Sequence, residues 1–145
     1  MDTWVHTYRN SAWAREMHSH TYKATQRRLT HRLLERAHVL VGCAAHDDQQ
    51  IYGWLCGETH ASRFCLHYVW VHHTMRSMGV GRSLVRRFLV DTERDMPGVV
   101  SHLSDIARSL AMQNRVRIPQ LTCSYRPYLR YNPMLSVDPD VEVAL

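Results

Sequence analysis

The stretch of the sequence best suited to chemistry is MRSMGVGRSLV, residues 75–85. Gly79 and Gly81 are separated by one residue, directly after an apolar run and directly before a helix-like pattern. Glycine lacks a Cβ, so its backbone can adopt positive φ and an anion can approach the main chain closely. If a helix begins near Val80, its first N–H groups lack intrahelical partners and lie at the positive end of the helix dipole. The stretch is therefore compatible with a diphosphate site, and also with a simple turn from strand to helix.

Two familiar phosphate-binding loops do not fit this stretch. Walker A needs G-x-x-x-x-G-K-[ST], which is absent, and the dinucleotide fingerprint needs a third glycine where Leu84 stands. Glycine spacing alone therefore favours the turn.

The other ligating or nucleophilic side chains form no recognisable motif. Eleven histidines suggest metal binding, and the closest clusters are His18-x-His20 and the pair His72 and His73. No set of cysteines and histidines has the paired spacing of a zinc site, so we predict no metal. The sequence also lacks a G-x-S-x-G elbow and shows no persuasive nucleophilic triad.

Size and composition predict one domain spanning residues 1–145. The chain is 45% hydrophobic, and no apolar stretch approaches the roughly 20 residues that cross a bilayer. The first residues show no signal-peptide pattern, so we predict a soluble cytoplasmic protein with no membrane partner. A net charge of +5 favours an anionic partner, either nucleic acid or a phosphorylated cofactor. The cysteines are predicted to be reduced, three of them in apolar strand-like runs: Cys43, Cys56, Cys65 and Cys123.

The first half of the chain changes from a helical to a strand-like pattern. Residues 11–37 favour helix, with a break near residues 19–21 that divides two helices. The inward stripe of the second helix consists of Tyr22, Gln26, Leu29, Leu33 and Leu34. HVLVGCAA (38–45) and IYGWLCGE (51–58) predict a hairpin joined by the five polar residues HDDQQ. FCLHYVWV (64–71) predicts a third strand of the same sheet.

The second half alternates helices and strands. The helix after the glycines ends before Pro97 and Gly98, and its inward face consists of Val80, Leu84, Val85, Phe88 and Leu89. Residues 99–103 predict a short strand, a helix follows from Ser104, and residues 121–131 predict a last strand. The order of these segments predicts an α/β or α+β sheet with helices on its faces.

The segment VHHTMRSMGVGRSLV (71–85) resembles motif A of the GNAT superfamily of acetyl-CoA-dependent N-acetyltransferases. The signature of that motif is Arg/Gln-x-x-Gly-x-Gly/Ala between a strand and a helix, and Arg76, Gly79 and Gly81 occupy its defining positions. The resemblance implies a mixed, mostly antiparallel central sheet with helices on both faces. Compact GNAT-like proteins of tailed bacteriophages are similar more loosely, through the hairpin and strand arrangement and a Tyr-Asn-Pro near the C-terminus, here Tyr131, Asn132 and Pro133.

The resemblance also assigns roles in binding acetyl-CoA. Backbone amides of residues 78–82 are expected to bind the CoA pyrophosphate, and main-chain groups of two strand residues to pair with the pantetheine arm as a peptide would. The expected cofactor residues are Val69, Val71, Arg76, Ser77, Met78, Gly79, Val80, Gly81, Arg82 and Ser83. Arg86 and Arg87 are interpreted as a solvated face.

The catalytic residues are harder to assign, because the sequence departs from the family pattern twice. Cys65 and His67 stand where the family often has a strand carboxylate, and Ala111 stands near the usual position of a helix tyrosine. His67 has an ordinary pKa near neutrality and is a candidate base, although a histidine bonded within the sheet fits the sequence as well. Glu58 is a second candidate base, acting through water, although a solvated carboxylate at a strand end is commoner. The candidate acid is Tyr125.

The function predicted is transfer of an acetyl group from acetyl-CoA to a primary amine of a small molecule or protein, by direct attack. Two alternatives remain at this point. The first is a catalytically inactive protein that binds acetyl-CoA or a partner protein. The second is a nucleic-acid-binding module that uses the basic helix at residues 26–37, which we consider the weaker hypothesis. A homodimer is compatible with the resemblance, since relatives are often dimers.

Overall fold

The computed structural model describes residues 2–9, 14, 16–60, 63–90, 98–102 and 121–125, the last segment as backbone alone. The helices and strands follow in chain order as α1 (Asp2–Arg9), α2 (Ser19–Arg36), β1 (His38–Ala44), β2 (Asp47–His60), β3 (Arg63–Val71), a 3-10 turn (His73–Met75), α3 (Val80–Val90), β4 (Gly98–Val100) and β5 (Leu121–Tyr125). None of the helices in this described part combines the length and hydropathy needed to cross a membrane.

The strands form one five-stranded sheet in the order β1-β2-β3-β4-β5. β1 with β2 and β2 with β3 are antiparallel and contain most of the paired residues. β3 with β4 and β4 with β5 are parallel and short. The mixed, mostly antiparallel sheet that was predicted is therefore confirmed.

The hairpin differs from its prediction at the connection. β1 ends at Ala44 and β2 begins at Asp47, so two residues join the strands instead of five. The polar residues 47–50 belong to β2 and are all exposed. Polar side chains are tolerated there because the tip of the hairpin is exposed and needs no apolar residues to fill a core.

The helices before the sheet also differ in their bounds. α1 begins at Asp2, in a segment for which no helix was predicted, because eight residues are too few to show helical periodicity clearly. α2 begins at Ser19, inside the predicted break, while the helical prediction for residues 11–13 lies outside the described residues. The predicted inward stripe of α2 is confirmed: Tyr22, Gln26, Leu29 and Leu33 are buried and Leu34 is partly buried.

Helices pack on both faces of the sheet, as predicted. On one face α3 inserts Leu84, Val85 and Phe88 against Leu55, Phe64 and Leu66. On the other face α1 and α2 contribute Trp4, Leu29 and Leu33 against Cys56 and Tyr68. Leu55 and Cys56 are neighbours in β2 and point to opposite faces, as the alternation of a strand requires.

A β-bulge interrupts the pairing of β2 with β3. Cys56 pairs with Tyr68, but the next residue, Gly57, pairs with Leu66. His67 is the extra residue in β3 at this point. A bulge bends the strand and changes the direction of the side chain at the inserted position. The bulge therefore determines where the His67 imidazole lies.

Candidate functional site

The first part of the site is residues 76–81, which follow the 3-10 turn and include the first two residues of α3; we call them the glycine turn. Ser77 has a φ of 66° and Gly79 a φ of 84°. A Cβ at Gly79 would meet no atom within 4 Å, so the backbone there borders open space. The positive φ at Gly79 is the conformation that the sequence predicted, whereas the positive φ at Ser77 had no sequence signal.

The start of α3 leaves N–H groups available for an anion. The first helical hydrogen bond is donated by the Ser83 N–H to the Gly79 carbonyl at 2.9 Å. The N–H groups of Val80, Gly81 and Arg82 precede it and have no intrahelical acceptor. Because they lie at the positive end of the helix dipole, they favour a bound negative charge.

The side chains around the glycine turn are exposed, and two of them are positively charged. Arg76 and Arg82 are exposed, and the Arg76 Nε donates a long hydrogen bond of 3.5 Å to the Val71 carbonyl. Met78 is 68% exposed, and the Ser77 and Ser83 side chains also face solvent. The turn is therefore an open, cationic concavity of the backbone.

The second part of the site is the edge of β3 leading away from the glycine turn. The His72 N–H donates a hydrogen bond to the Tyr52 carbonyl at 2.8 Å. In an antiparallel pair such bonds recur at every second residue, so Trp70 and Tyr68 also bond to β2. The main-chain groups of Val69 and Val71 consequently point away from β2. Across this edge, β4 pairs with β3 only as far as Leu66. On the side of β3 that faces away from β2, no strand of the described residues pairs with Val69 or Val71.

β3 and β4 separate at a fork. The last bond between them is donated by the Ser101 N–H to the Leu66 carbonyl at 3.1 Å. His67 is the next residue of β3, so both its side chain and that of Ser101 belong to the fork. The edge from Val71 to His67 spans about 13 Å in an extended strand.

The third part of the site is a chain of hydrogen-bonded side chains at the fork, which we call the buried polar cluster: Arg36, Glu58, His67 and Ser101. The His67 Nε2 and the Arg36 Nε each lie 2.8 Å from the Glu58 Oε1. The His67 Nδ1 lies 2.6 Å from the Ser101 Oγ. His67 and Ser101 are fully buried and Glu58 nearly so, while the Arg36 side chain is 29% exposed.

The Glu58 carboxyl is held in its charged form. Burial acts to raise its pKa, but hydrogen bonds from His67 and Arg36 and the positive charge of Arg36 outweigh this and lower the pKa from 4.5 to about 2. An ionised carboxylate only accepts hydrogen bonds, so the His67 Nε2 must carry its hydrogen. In the neutral imidazole the Nδ1 is then the acceptor, and the Ser101 hydroxyl donates to it.

The thiols near the cluster are chemically quiet. Burial, together with the negative charge of Glu58, raises the pKa of Cys56 and of Cys65 to about 12. Both therefore remain protonated at neutral pH and are poor nucleophiles. Cys43 is a free thiol but exposed, so its prediction as a core residue is wrong; β1 is an edge strand and its outer face has no cover there.

The structure brings together two of the three predicted catalytic residues. Glu58 and His67 share a hydrogen bond, although Glu58 was expected to be a solvated carboxylate at a strand end. That expectation is wrong, because β2 continues past Glu58 to His60 and α2 covers it with Arg36. Tyr125 is the last residue of β5, and its side chain lies outside the description. Ala111 and the Tyr-Asn-Pro segment at residues 131–133 also lie outside the described residues.

Sequence reasoning missed two members of the buried polar cluster. Arg36 does not belong to the apolar stripe of α2, and Ser101 has no sequence signal beyond following two valines. Both become recognisable only when α2 and β4 are packed beside the bulge. No group of three or more His, Cys, Asp or Glu side chains able to share a metal ion is found among the described residues.

Comparisons with known proteins agree with this architecture. Residues 3–111 match the family described as "Acetyltransferase (GNAT) family". The chain is similar to a solved structure named "Putative acetyl transferase from Pyrococcus furiosus", with a TM-score of 0.51 and 15% sequence identity. The similar region covers 87% of this chain and 92% of that one. At that identity the likeness shows the fold alone. Among curated proteins, no match was found.

Proposed function

The chain belongs to the acetyltransferase (GNAT) family, and we propose that it transfers the acetyl group of acetyl-CoA to a primary amine by direct attack. The observation that carries this proposal is the glycine turn beside the open edge of β3. The turn offers N–H groups and arginines to phosphate, and the edge offers main-chain groups to an amide-containing chain. Acetyl-CoA has both features in one molecule.

The residues at the glycine turn fit a diphosphate. Open space borders Gly79, and the first N–H groups of α3, at Val80, Gly81 and Arg82, have no intrahelical acceptor. Arg76, Arg82 and the hydroxyls of Ser77 and Ser83 can add side-chain contacts, as Arg is well matched to phosphate oxygens. When bound, acetyl-CoA supplies an activated acyl carbon with a thiolate leaving group.

The edge of β3 directs the acyl end of the ligand toward the fork. Val69 and Val71 present N–H and carbonyl groups that can pair with the amides of the pantetheine arm, as in the addition of a strand to a sheet edge. The path from Val71 to His67 is about 13 Å long and ends where β4 rejoins β3. The acetyl group is therefore proposed to lie beside His67.

His67 is the proposed base, and Glu58 is the proposed residue that orients it. The Nε2–H donated to the Glu58 carboxylate fixes the tautomer and stabilises the imidazolium that forms when the Nδ1 takes a proton. General base catalysis of this kind contributes typically about 10²- to 10⁴-fold to a rate. Tyr125 at the end of β5 is kept as the proposed acid for the leaving thiolate.

The acceptor, the compartment and the assembly are also proposals. The proposed acceptor is an amine of a small molecule or of a protein, the proposed compartment is the cytoplasm, and the proposed assembly is a homodimer.

Calorimetric titration with acetyl-CoA tests the proposed function. The wild type is expected to bind one acetyl-CoA per chain, and Gly81→Glu to weaken binding at least about tenfold, because it adds a negative charge in the first turn of α3 and its Cβ would come within 3.3 Å of the Val71 side chain. Val90→Glu is the matched control, since it adds the same charge at the exposed far end of α3. Unaltered binding by a folded Gly81→Glu variant would rule out the glycine turn as the diphosphate site.

A further inference from the structure

The proposed base cannot meet an amine directly, because the Ser101 hydroxyl occupies its acceptor nitrogen. We propose that Ser101 is a catalytic residue that carries the proton of the attacking amine to His67, as the first member of a relay from Ser101 through His67 to Glu58. This inference rests on the proposed acetyl transfer and deepens it by naming the group that touches the amine.

The direction of the hydrogen bonds is determined by the charges. Glu58 is a carboxylate and accepts from the His67 Nε2–H, so the neutral imidazole has its lone pair on the Nδ1. The Ser101 Oγ lies 2.6 Å from that nitrogen and donates its hydrogen to it. The oxygen of Ser101 has two lone pairs; the Cys65 thiol, which shares a hydrogen bond with this side chain, takes one, and the other can accept a proton that arrives from the substrate. This is the order of groups needed to move a proton inward from the fork.

The position of Ser101 places the outer end of the relay at the fork. Its N–H makes the last bond between β4 and β3, at Leu66. Ser101 therefore stands at the end of the edge on which Val69 and Val71 offer their main-chain groups. Because its hydroxyl is fully buried without ligand, the relay requires the acetyl group and the amine to enter between β3 and β4 at this point.

Among the described groups near the His67 Nδ1, the Ser101 hydroxyl makes the shorter contact. The Cys65 sulfur lies 3.9 Å from the Nδ1, against 2.6 Å for the Ser101 oxygen, so its contact with the ring is the weaker one. Arg36 donates to the Glu58 carboxylate, and a guanidinium has no atom that accepts a hydrogen bond. Cys56, on the same sheet face, has a pKa raised to about 12 and also remains neutral. The charged or titratable groups described near His67 therefore include Glu58, Arg36 and the thiols of Cys56 and Cys65.

The step balances as follows. A C–N bond forms between the neutral amine and the thioester carbon, and the C–S bond to CoA breaks. Ser101 accepts the amine proton while its own proton passes to the His67 Nδ1, which gives an imidazolium beside the Glu58 carboxylate. The departing thiolate receives this proton back through Ser101, or takes one from the proposed acid Tyr125; in that case the tyrosinate regains a proton from solvent and the imidazolium releases its own to solvent. The products are an acetylated amine and CoA thiol, and all protein groups return to their starting state.

Ser101→Ala tests the relay directly, because it removes one hydroxyl and leaves the His67 and Glu58 pair in place. The assay follows CoA thiol released from acetyl-CoA with spermidine, glucosamine or a lysine-containing peptide as acceptor. We expect kcat to fall by about 10²- to 10⁴-fold, and its pH dependence to change, while calorimetric affinity for acetyl-CoA stays the same. Ser101→Thr, which keeps a hydroxyl, is expected to recover part of the rate.

Thr30→Val is the matched control, since it removes another fully buried hydroxyl, in α2, for which the structure shows no hydrogen-bond partner. Its kcat and pH profile are expected to match those of the wild type. If losing a buried hydroxyl acted only through the structure, kcat would fall by a similar factor in both variants.

A second measurement needs no acetyl-CoA. In ¹⁵N NMR spectra of the ligand-free protein, the Ser101 hydroxyl bond shifts the His67 Nδ1 resonance, and Ser101→Ala is expected to move it toward that of an unbonded neutral ring nitrogen. The Nε2–H signal is expected to persist, because Glu58 still accepts that bond. An unmoved Nδ1 resonance would contradict the hydrogen bond on which the relay depends.

The outcomes separate the relay from the proposed function. Wild-type kcat and pH profile in Ser101→Ala overturn the relay and leave acetyl transfer standing. An acetyl group found covalently on Ser101 by mass spectrometry also overturns it, in favour of an acyl-enzyme. A wild type that binds no acetyl-CoA refutes the proposed function itself, and one that binds it but releases no thiol with any of these amines refutes transfer and relay together.

Discussion

The glycine turn and the buried polar cluster lie at opposite ends of one strand edge and are built by different means. The turn is exposed and consists largely of backbone, with positive φ at Ser77 and Gly79 and available N–H groups at the start of α3. The cluster is buried and consists of side chains from α2, β2, β3 and β4. Local conformation makes the first, and long-range packing makes the second.

This difference has energetic consequences. Residues of the turn have few packed neighbours, so changes there are expected to affect ligand affinity more than folding. In the cluster, each charge is compensated by another buried group, so the loss of one leaves the others without compensation. A mutation in either region should therefore show which kind of site it belongs to.

The largest expected effect is on stability, from Glu58→Gln. The amide cannot compensate Arg36 or take an Nε2–H bond as strongly, and breaking a buried ion pair typically costs about 3–5 kcal/mol of the free energy of unfolding. Urea denaturation measures it. Asp2→Asn is the control, since its 3.4 Å pair with Arg27 is largely exposed and is expected to contribute less than about 1 kcal/mol. Equal effects of the two variants would mean that the buried cluster contributes no more than a surface pair.

The next effect is the dependence of stability on acid. The Glu58 pKa is lowered from 4.5 in the unfolded chain to about 2 in the folded protein, so its contribution is complete above pH 4.5 and is lost as the pH falls toward 2. The shift corresponds to about 3 kcal/mol over this window. Urea denaturation at a series of pH values is expected to show this loss in the wild type and a shallower one in Glu58→Gln. Parallel curves for the two proteins would remove Glu58 as its source.

The smallest effect on stability, and a clear one on binding, is expected from Gly79→Ala. A residue with a side chain at a φ of 84° costs about 1–3 kcal/mol, although the added Cβ itself would meet no neighbour. The turn is therefore expected to relax and acetyl-CoA to bind more weakly in calorimetry. Gly42→Ala in β1 is the control, because its added Cβ would make ordinary contacts at 3.8 Å without positive φ. If Gly79→Ala lowered the free energy of unfolding by more than it weakened the free energy of acetyl-CoA binding, the result would contradict the division between the two regions.

Much of the fold could be predicted from the sequence, because apolar periodicity reports which face of an element is buried. The stripes of α2 and α3 and the positions of β1 and β3 follow from it. The bounds of α1 and of the hairpin were harder to predict than these elements. A short helix shows too little periodicity. The polar first residues of β2 form a strand because they pair with β1, although their composition does not favour one.

For the candidate site, the sequence by itself determined the glycine turn, since a positive φ at Gly79 is a local property that the residue type allows. It also supplied Glu58 and His67 as separate candidates. Only the tertiary structure decided that they form one hydrogen-bonded chain with Ser101 and Arg36. The bulge at His67 determines the direction of its ring, and the packing of α2 and β4 brings Arg36 and Ser101 into the hydrogen-bonded chain. Such contacts depend on strand register and helix packing, which no short segment of sequence specifies alone.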